Sequence, residues 1–129
     1  MSIYILSSAR TPIASFLGAF SNIKATKLGG AAIKEAVSRS GVSEKEVDEV
    51  IMGQVIQAGS GQSPARQASI FGGLPNSVPA TTINKVCGSG MKSLIMGAQS
   101  ILAGDNSLVV TGGMENMTMA PHLLSAGRS

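Results

Sequence analysis

Apolar residues along this chain fall into short runs of two alternating periods. Residues 3–8 (IYILSS) are β-prone and end at ARTP, which predicts a first strand followed by a loop carrying Phe16 and Phe20. From Thr26, a candidate helix cap, Leu28, Ala32 and Ala36 with Ile33 and Val37 recur at helical spacing, and Gly41 closes the pattern just past Arg39. Ser43 and Glu46 have capping-box spacing and start a single turn before a strand over 50–56. Ser63 and Pro64 suit the cap and first position of a helix over ARQASIF, which Gly72 and Gly73 terminate.

The alternation then repeats. Residues 81–86 are β-branched enough for a strand that runs directly into Cys87, the chain's one cysteine. Met91, Leu94, Ile95, Ala98, Ile101 and Leu102 follow a period of 3.6 up to Gly104, and 107–111 form the next strand. A strand and helix rhythm of this kind predicts an α/β fold with a mainly parallel sheet covered by helices. Beyond residue 114 no steady period persists, so 114–129 reads as the start of an extended loop region.

Length and charge sharpen this picture. A chain of 129 residues suits one domain. Only 13% of the residues are charged, against about 25% in an ordinary soluble domain. So little charge cannot cover the surface, and faces buried by further polypeptide or by neighbouring subunits are expected. The net charge of +3 is spread as single lysines and arginines, with Tyr4, Phe16, Phe20 and Phe71 as the only aromatics, which argues against nucleic-acid binding. The opening MSIYILSSARTP lacks a basic n-region and a cleavage site, and no apolar run reaches membrane-spanning length. A cytoplasmic protein with no membrane partner is therefore the expectation. One cysteine excludes an internal disulfide, and with one histidine no zinc constellation is recognisable, so no metal is expected.

Cys87 carries the candidate chemistry. Most lone cysteines are inert packing groups. At a strand-to-helix junction, however, unpaired N–H groups and the positive end of the helix dipole favour a thiolate and can receive an oxyanion. Gly88 and Gly90 leave the approach to the sulfur open. The order differs from the G-x-S-x-G elbow because the sulfur precedes its glycines, and on these residues alone the packing and nucleophile readings stay balanced. His122 follows Pro121 in an aperiodic loop and reads as solvated or packed, not as a base. Met91 and Met96 lie on or beside the helix stripe and read as core. Asn116 to Thr118 matches a glycosylation acceptor pattern, which without a secretion signal reads as chance.

NKVCGSGMKS, followed by GDNSLVVTGGMENMTMAPH, resembles the nucleophile region of thiolases of the acetyl-CoA acetyltransferase type. ARTPIASFLGAF and GQSPARQAS resemble further thiolase segments in the same order, so the likeness covers essentially the whole chain. INKVCGSG with MAPH is more similar to the acetoacetyl-CoA-forming branch than to degradative 3-ketoacyl-CoA thiolases. The resemblance implies a layered αβα fold with a mainly parallel mixed sheet, of which residues 1–129 form an incomplete N-terminal part lacking the final strand of its sheet. It also implies reversible Claisen condensation of two acetyl-CoA through an acetyl-Cys87 intermediate, with coenzyme A thioesters as substrates and no cofactor. The oxyanion would be held by the Cys87 N–H and by a second N–H from the C-terminal part. Met114, Met117 and Met119 would lie near the loop toward the acyl pocket. The strand over 81–84 would pair across the twofold of a homodimer or homotetramer. The family's Gly-His-Pro, Cys-x-Gly and Asn-Glu-Ala-Phe segments are absent from these residues, so Cys87 would be half of a catalytic apparatus and the chain alone inactive. A 3-ketoacyl-CoA thiolase of fatty-acid degradation, a ketoacyl synthase or hydroxymethylglutaryl-CoA synthase of the same fold, and a non-catalytic thiolase-like assembly module are the alternatives.

Overall fold

Val50, Ile51 and Met52 are each at most 3% exposed, so their strand is buried on both faces, as the central strand of a parallel sheet must be. The computed structural model describes residues 1–128. Its elements are α1 (Ala25–Ser40), β1 (Glu49–Gly53), α2 (Pro64–Phe71), β2 (Ala80–Ile83), α3 (Ser89–Ala103) and β3 (Val109–Gly113), with single 3₁₀ turns at Glu44–Glu46 and Met117–Met119. The sheet has the order β2-β1-β3, and both pairings are parallel. Val50 and Met52 join Ile33, Val37, Ala65, Ala68, Leu74 and Val78 in one apolar cluster shared with α1 and α2. Ile51, which alternation turns to the other face, looks toward α3, and α3 packs on β1 and β3. Three layers result, with helices on both sides of the sheet.

Several boundaries depart from the sequence pattern for identifiable reasons. Thr26 is not the cap of α1; Lys24 holds that position, and Thr26 is buried, its Oγ1 donating to Gln67 Oε1 of α2 at 3.3 Å. Pro64 does open α2, but the side chain of Ser63 makes no cap. Thr82 Oγ1 of β2 accepts the Ala65 N–H at 2.9 Å instead, which couples the helix start to the edge strand. The capping box forms: Glu46 Oε2 accepts the Ser43 N–H at 2.7 Å and Ser43 Oγ accepts the Lys45 N–H. Gly41 and Gly104 end α1 and α3 in the left-handed conformation, as their positions predict.

The stripe of α3 is the largest correction. Met91, expected in the core, is 66% exposed, and Leu94, Ile95 and Leu102 are exposed with it. The helix meets the sheet through Ser89, Ser93 and Gly97 instead. A Cβ at Gly97 would lie 2.6 Å from Thr111 Cγ2, so the close approach requires glycine there. The buried Ser93 hydroxyl donates to Gly90 O and Gly112 O, at 2.7 and 2.8 Å. Small residues let the backbones approach, and the apolar stripe is left facing outward.

The strand expected over residues 3–8 forms no ladder. A β-prone run becomes a strand only when another strand takes its backbone groups, and this one is separated from β3 by a groove of about 310 Å³ lined by residues 2–7, α3 and 107–111. It is held to α1 by Ser7 Oγ donating to Ala36 O at 2.6 Å and by Arg39 Nη1 donating to Ser8 O at 3.1 Å.

The entry to β3 is fixed by Asp48, whose Oδ2 accepts the N–H groups of Ser107 and Leu108 at 2.7 and 2.9 Å. Those bonds, the Leu108 one foremost, hold its carboxyl below the ordinary aspartate value. A depressed folded pKa means that the contribution is complete above the unfolded value of about 3.9 and is lost as pH falls through the lower folded value. In the intact protein, Asp48→Asn should therefore lower the melting temperature at pH 7, and the gap from wild type should close below about pH 4. An unchanged gap at acid pH would contradict this.

Candidate active site

The three strands end in register, because Gly53 stands opposite both Ile83 and Gly113. In open parallel sheets the carboxyl edge is where ligands meet the fold, and here the loop after β1 is bonded to both Asn84 and Glu115, on the loops after β2 and β3. β2 stops at Ile83 and does not run on to Cys87. Residues 84–88 form a tight turn in which Gly88 N–H donates to Lys85 O and Ser89 N–H donates to Val86 O, both at 3.1 Å. Val86 sits at φ +50°, a strained conformation for a β-branched residue. The turn redirects the chain by a sharp angle into α3 and leaves Cys87 exposed at the corner.

Glycine at the end of β1 sets the height of this corner. A Cβ at Gly53 would fall 2.5 Å from the Cβ of Ser89, so the first turn of α3 rests directly on the strand end. β1 also ends earlier than its apolar run suggests. The carboxylate of Glu115 accepts the Val55 N–H at 2.9 Å and the Ile56 N–H at 3.3 Å, taking the place of a neighbouring strand. Val55 O in turn accepts from Asn84 Nδ2 at 3.3 Å. The ends of all three strands are thus tied together beneath Cys87.

Gly88 and Ser89 spend their N–H groups on the turn, whereas among the described residues no acceptor takes the N–H of Cys87. A thiol and an unspent backbone donor therefore stand side by side at a helix start. That is the minimal equipment for thiol attack on a carbonyl, with the donor available to the oxygen that becomes negative. His122 is exposed. Among the described residues no three potential metal ligands gather, and no helix is long and apolar enough to cross a membrane. Asn116 uses its amide to hold Phe20 O and Ile23 O, at 2.8 and 2.7 Å, which fixes the loop after β3 to the segment before α1.

Fold and corner together define a parallel α/β protein that presents a cysteine for covalent chemistry at the carboxyl edge of its sheet. The family described as "Thiolase, N-terminal domain" matches residues 3–129, and the chain belongs to the thiolase family. It is 55% identical over 126 residues to an acetyl-CoA acetyltransferase of Cupriavidus necator, covering 98% of this chain and 32% of that protein. With a mitochondrial acetyl-CoA acetyltransferase of Xenopus tropicalis the identity is 54% over 125 residues, 97% of this chain and 30% of the other. A crystal structure of a thiolase from Ascaris suum in complex with coenzyme A superposes with a TM-score of 0.93 at 47% identity, covering 96% of this chain and 32% of that one. The chain spans about a third of the length of these relatives.

The residues that sequence reasoning missed are Asn84, Ser89 and Glu115. The signal for Ser89 is a small polar residue set between Gly88 and Gly90, a position where a helix start must take close contacts. Glu115 follows the strand-end glycines of β3, where only its loop position hints at a structural carboxylate.

Proposed function

We propose that the intact protein condenses two molecules of acetyl-CoA to acetoacetyl-CoA, and runs the reverse thiolysis, with Cys87 as the acyl acceptor. The observation that carries this reading is the exposed Cys87 at the strand-to-helix corner with its own N–H unspent. The relatives named acetyl-CoA acetyltransferase support the choice of substrate. In the first half-reaction the Cys87 thiolate attacks the thioester carbonyl, a sulfur–carbon bond forms, and the coenzyme A thiolate leaves and takes up a proton. One thioester replaces another, so the acyl group stays activated. In the second half-reaction a second acetyl-CoA loses an α-proton to a base, its carbanion attacks the acetyl carbon, and the Cys87 thiolate is released with acetoacetyl-CoA. The base, and a second donor to the oxyanion, would come from outside residues 1–129.

The reading needs no cofactor or metal, with coenzyme A thioesters as substrates only. It includes a cytoplasmic home, which cell fractionation decides, since some relatives are named mitochondrial. It also includes self-association as a homodimer or homotetramer through β2, which lies at the edge of the sheet and would otherwise offer an unpaired row of N–H and C=O groups. Light scattering of the active protein should give at least a dimer, and an active monomer would contradict this part. For the activity itself, the intact protein supplied with acetyl-CoA alone should form acetoacetyl-CoA. Product from longer 3-ketoacyl-CoA thiolysis but none from acetyl-CoA would reassign it to the degradative branch.

A further inference from the structure

We propose that Ser89 and Asn84 are positioning residues that aim the backbone N–H of Cys87 at the oxyanion. This rests on the reading of Cys87 as acyl acceptor. The carbonyl of Val86 and the N–H of Cys87 belong to one peptide unit, and in a trans peptide they point in opposite directions. Whatever holds the Val86 oxygen therefore aims the Cys87 N–H. Ser89 holds it twice: its hydroxyl donates to Val86 O at 2.6 Å and its N–H donates to the same oxygen at 3.1 Å. The hydroxyl also accepts the Lys85 N–H at 2.8 Å, so one buried oxygen bridges the two peptides on either side of the bend. Asn84 closes the other side, its Oδ1 accepting the Val86 N–H at 2.8 Å while its Nδ2 reaches Val55 O.

These clamps are needed because Val86 resists the conformation it is given. At φ +50° a β-branched side chain crowds the backbone, and the favoured relaxation is toward extended geometry, continuing β2. Relaxation would rotate the Val86–Cys87 peptide and turn the Cys87 N–H away from the corner. The thiol, on the exposed side of the turn, would still be reachable. Loss of the clamps should thus harm acyl transfer, which develops an oxyanion, far more than alkylation, which does not.

The test uses the intact protein with Ser89→Ala, Asn84→Ala and Asn84→Asp. Melting curves establish that each is folded; Asn84 is exposed, so its variants carry the test should Ser89→Ala fail to fold. Measured quantities are kcat and KM for acetyl-CoA and the rate of Cys87 alkylation by iodoacetamide. Ser89→Ala and Asn84→Ala should lower kcat by about 10- to 100-fold with KM within about twofold, as expected for misplacement on the order of 1 Å. Alkylation should change by less than about threefold, because the thiol is not what the clamps aim. Asn84→Asp, which keeps the acceptor oxygen, should regain most of the lost rate. Folded Ala variants with wild-type kcat would overturn the proposal, as would alkylation falling in step with acyl transfer. Wild-type protein acylated elsewhere would instead sink the acyl-acceptor reading on which it rests.

Discussion

Cys87→Ser in the intact protein is expected to lower acetyl-CoA condensation by roughly 10³-fold or more, as removal of a covalent nucleophile does elsewhere. A hydroxyl in the same place is far less nucleophilic than a thiolate, and it would form a less activated ester. The corner itself should survive the change. The turn is built from Lys85, Val86 and Ser89 backbone groups and the side chains of Asn84 and Ser89, and the sulfur holds none of these bonds. Initial rates alongside melting curves check this, and full activity in a folded Cys87→Ser protein would place the acyl acceptor elsewhere.

Purified residues 1–129, taken alone, should show no condensation or thiolysis and should self-associate. The outward stripe of α3, with Met91, Leu94, Ile95 and Leu102, adds to Tyr4, Ile5 and Leu6 on the unpaired N-terminal run, all exposed. At about 25 cal/mol per Å² such surface favours any partner that removes it from water, and with 13% charged residues there is little to keep copies apart. The stripe and the groove between residues 2–7 and β3 are the apolar faces that such association would remove from water. Size-exclusion chromatography with an acyl-CoA assay decides the matter. Turnover by a well-behaved monomer would mean that a base within this chain activates Cys87.

How much of this was legible in the sequence depended on which link a residue served. From α1 onward the order of strands and helices, the glycine stops at Gly41 and Gly104, the box of Ser43 and Glu46 and the place of Cys87 at a helix start follow from local pattern, and the structure keeps them. The facing of α3 did not follow, because periodicity reports an apolar stripe without reporting what it faces. Here close backbone approach through Ser93 and Gly97 outweighed apolar burial. The strand over 3–8 failed for a related reason: β-propensity is local, whereas a ladder needs a partner. At the site, residue type and neighbours made Cys87 a candidate nucleophile that only the family resemblance favoured over a packing role, and its supports were not readable. Ser89 and Glu115 act through bonds to backbone groups 3 and 59–60 positions away, and no spacing rule encodes those.

The most direct measurement is to mix the intact protein with acetyl-CoA, quench before turnover completes, and map the acylated peptide by mass spectrometry. An added acetyl group is expected on the peptide containing Cys87, removed when free coenzyme A is supplied. An acetyl group carried stably by any other residue, with Cys87 unmodified, would contradict it.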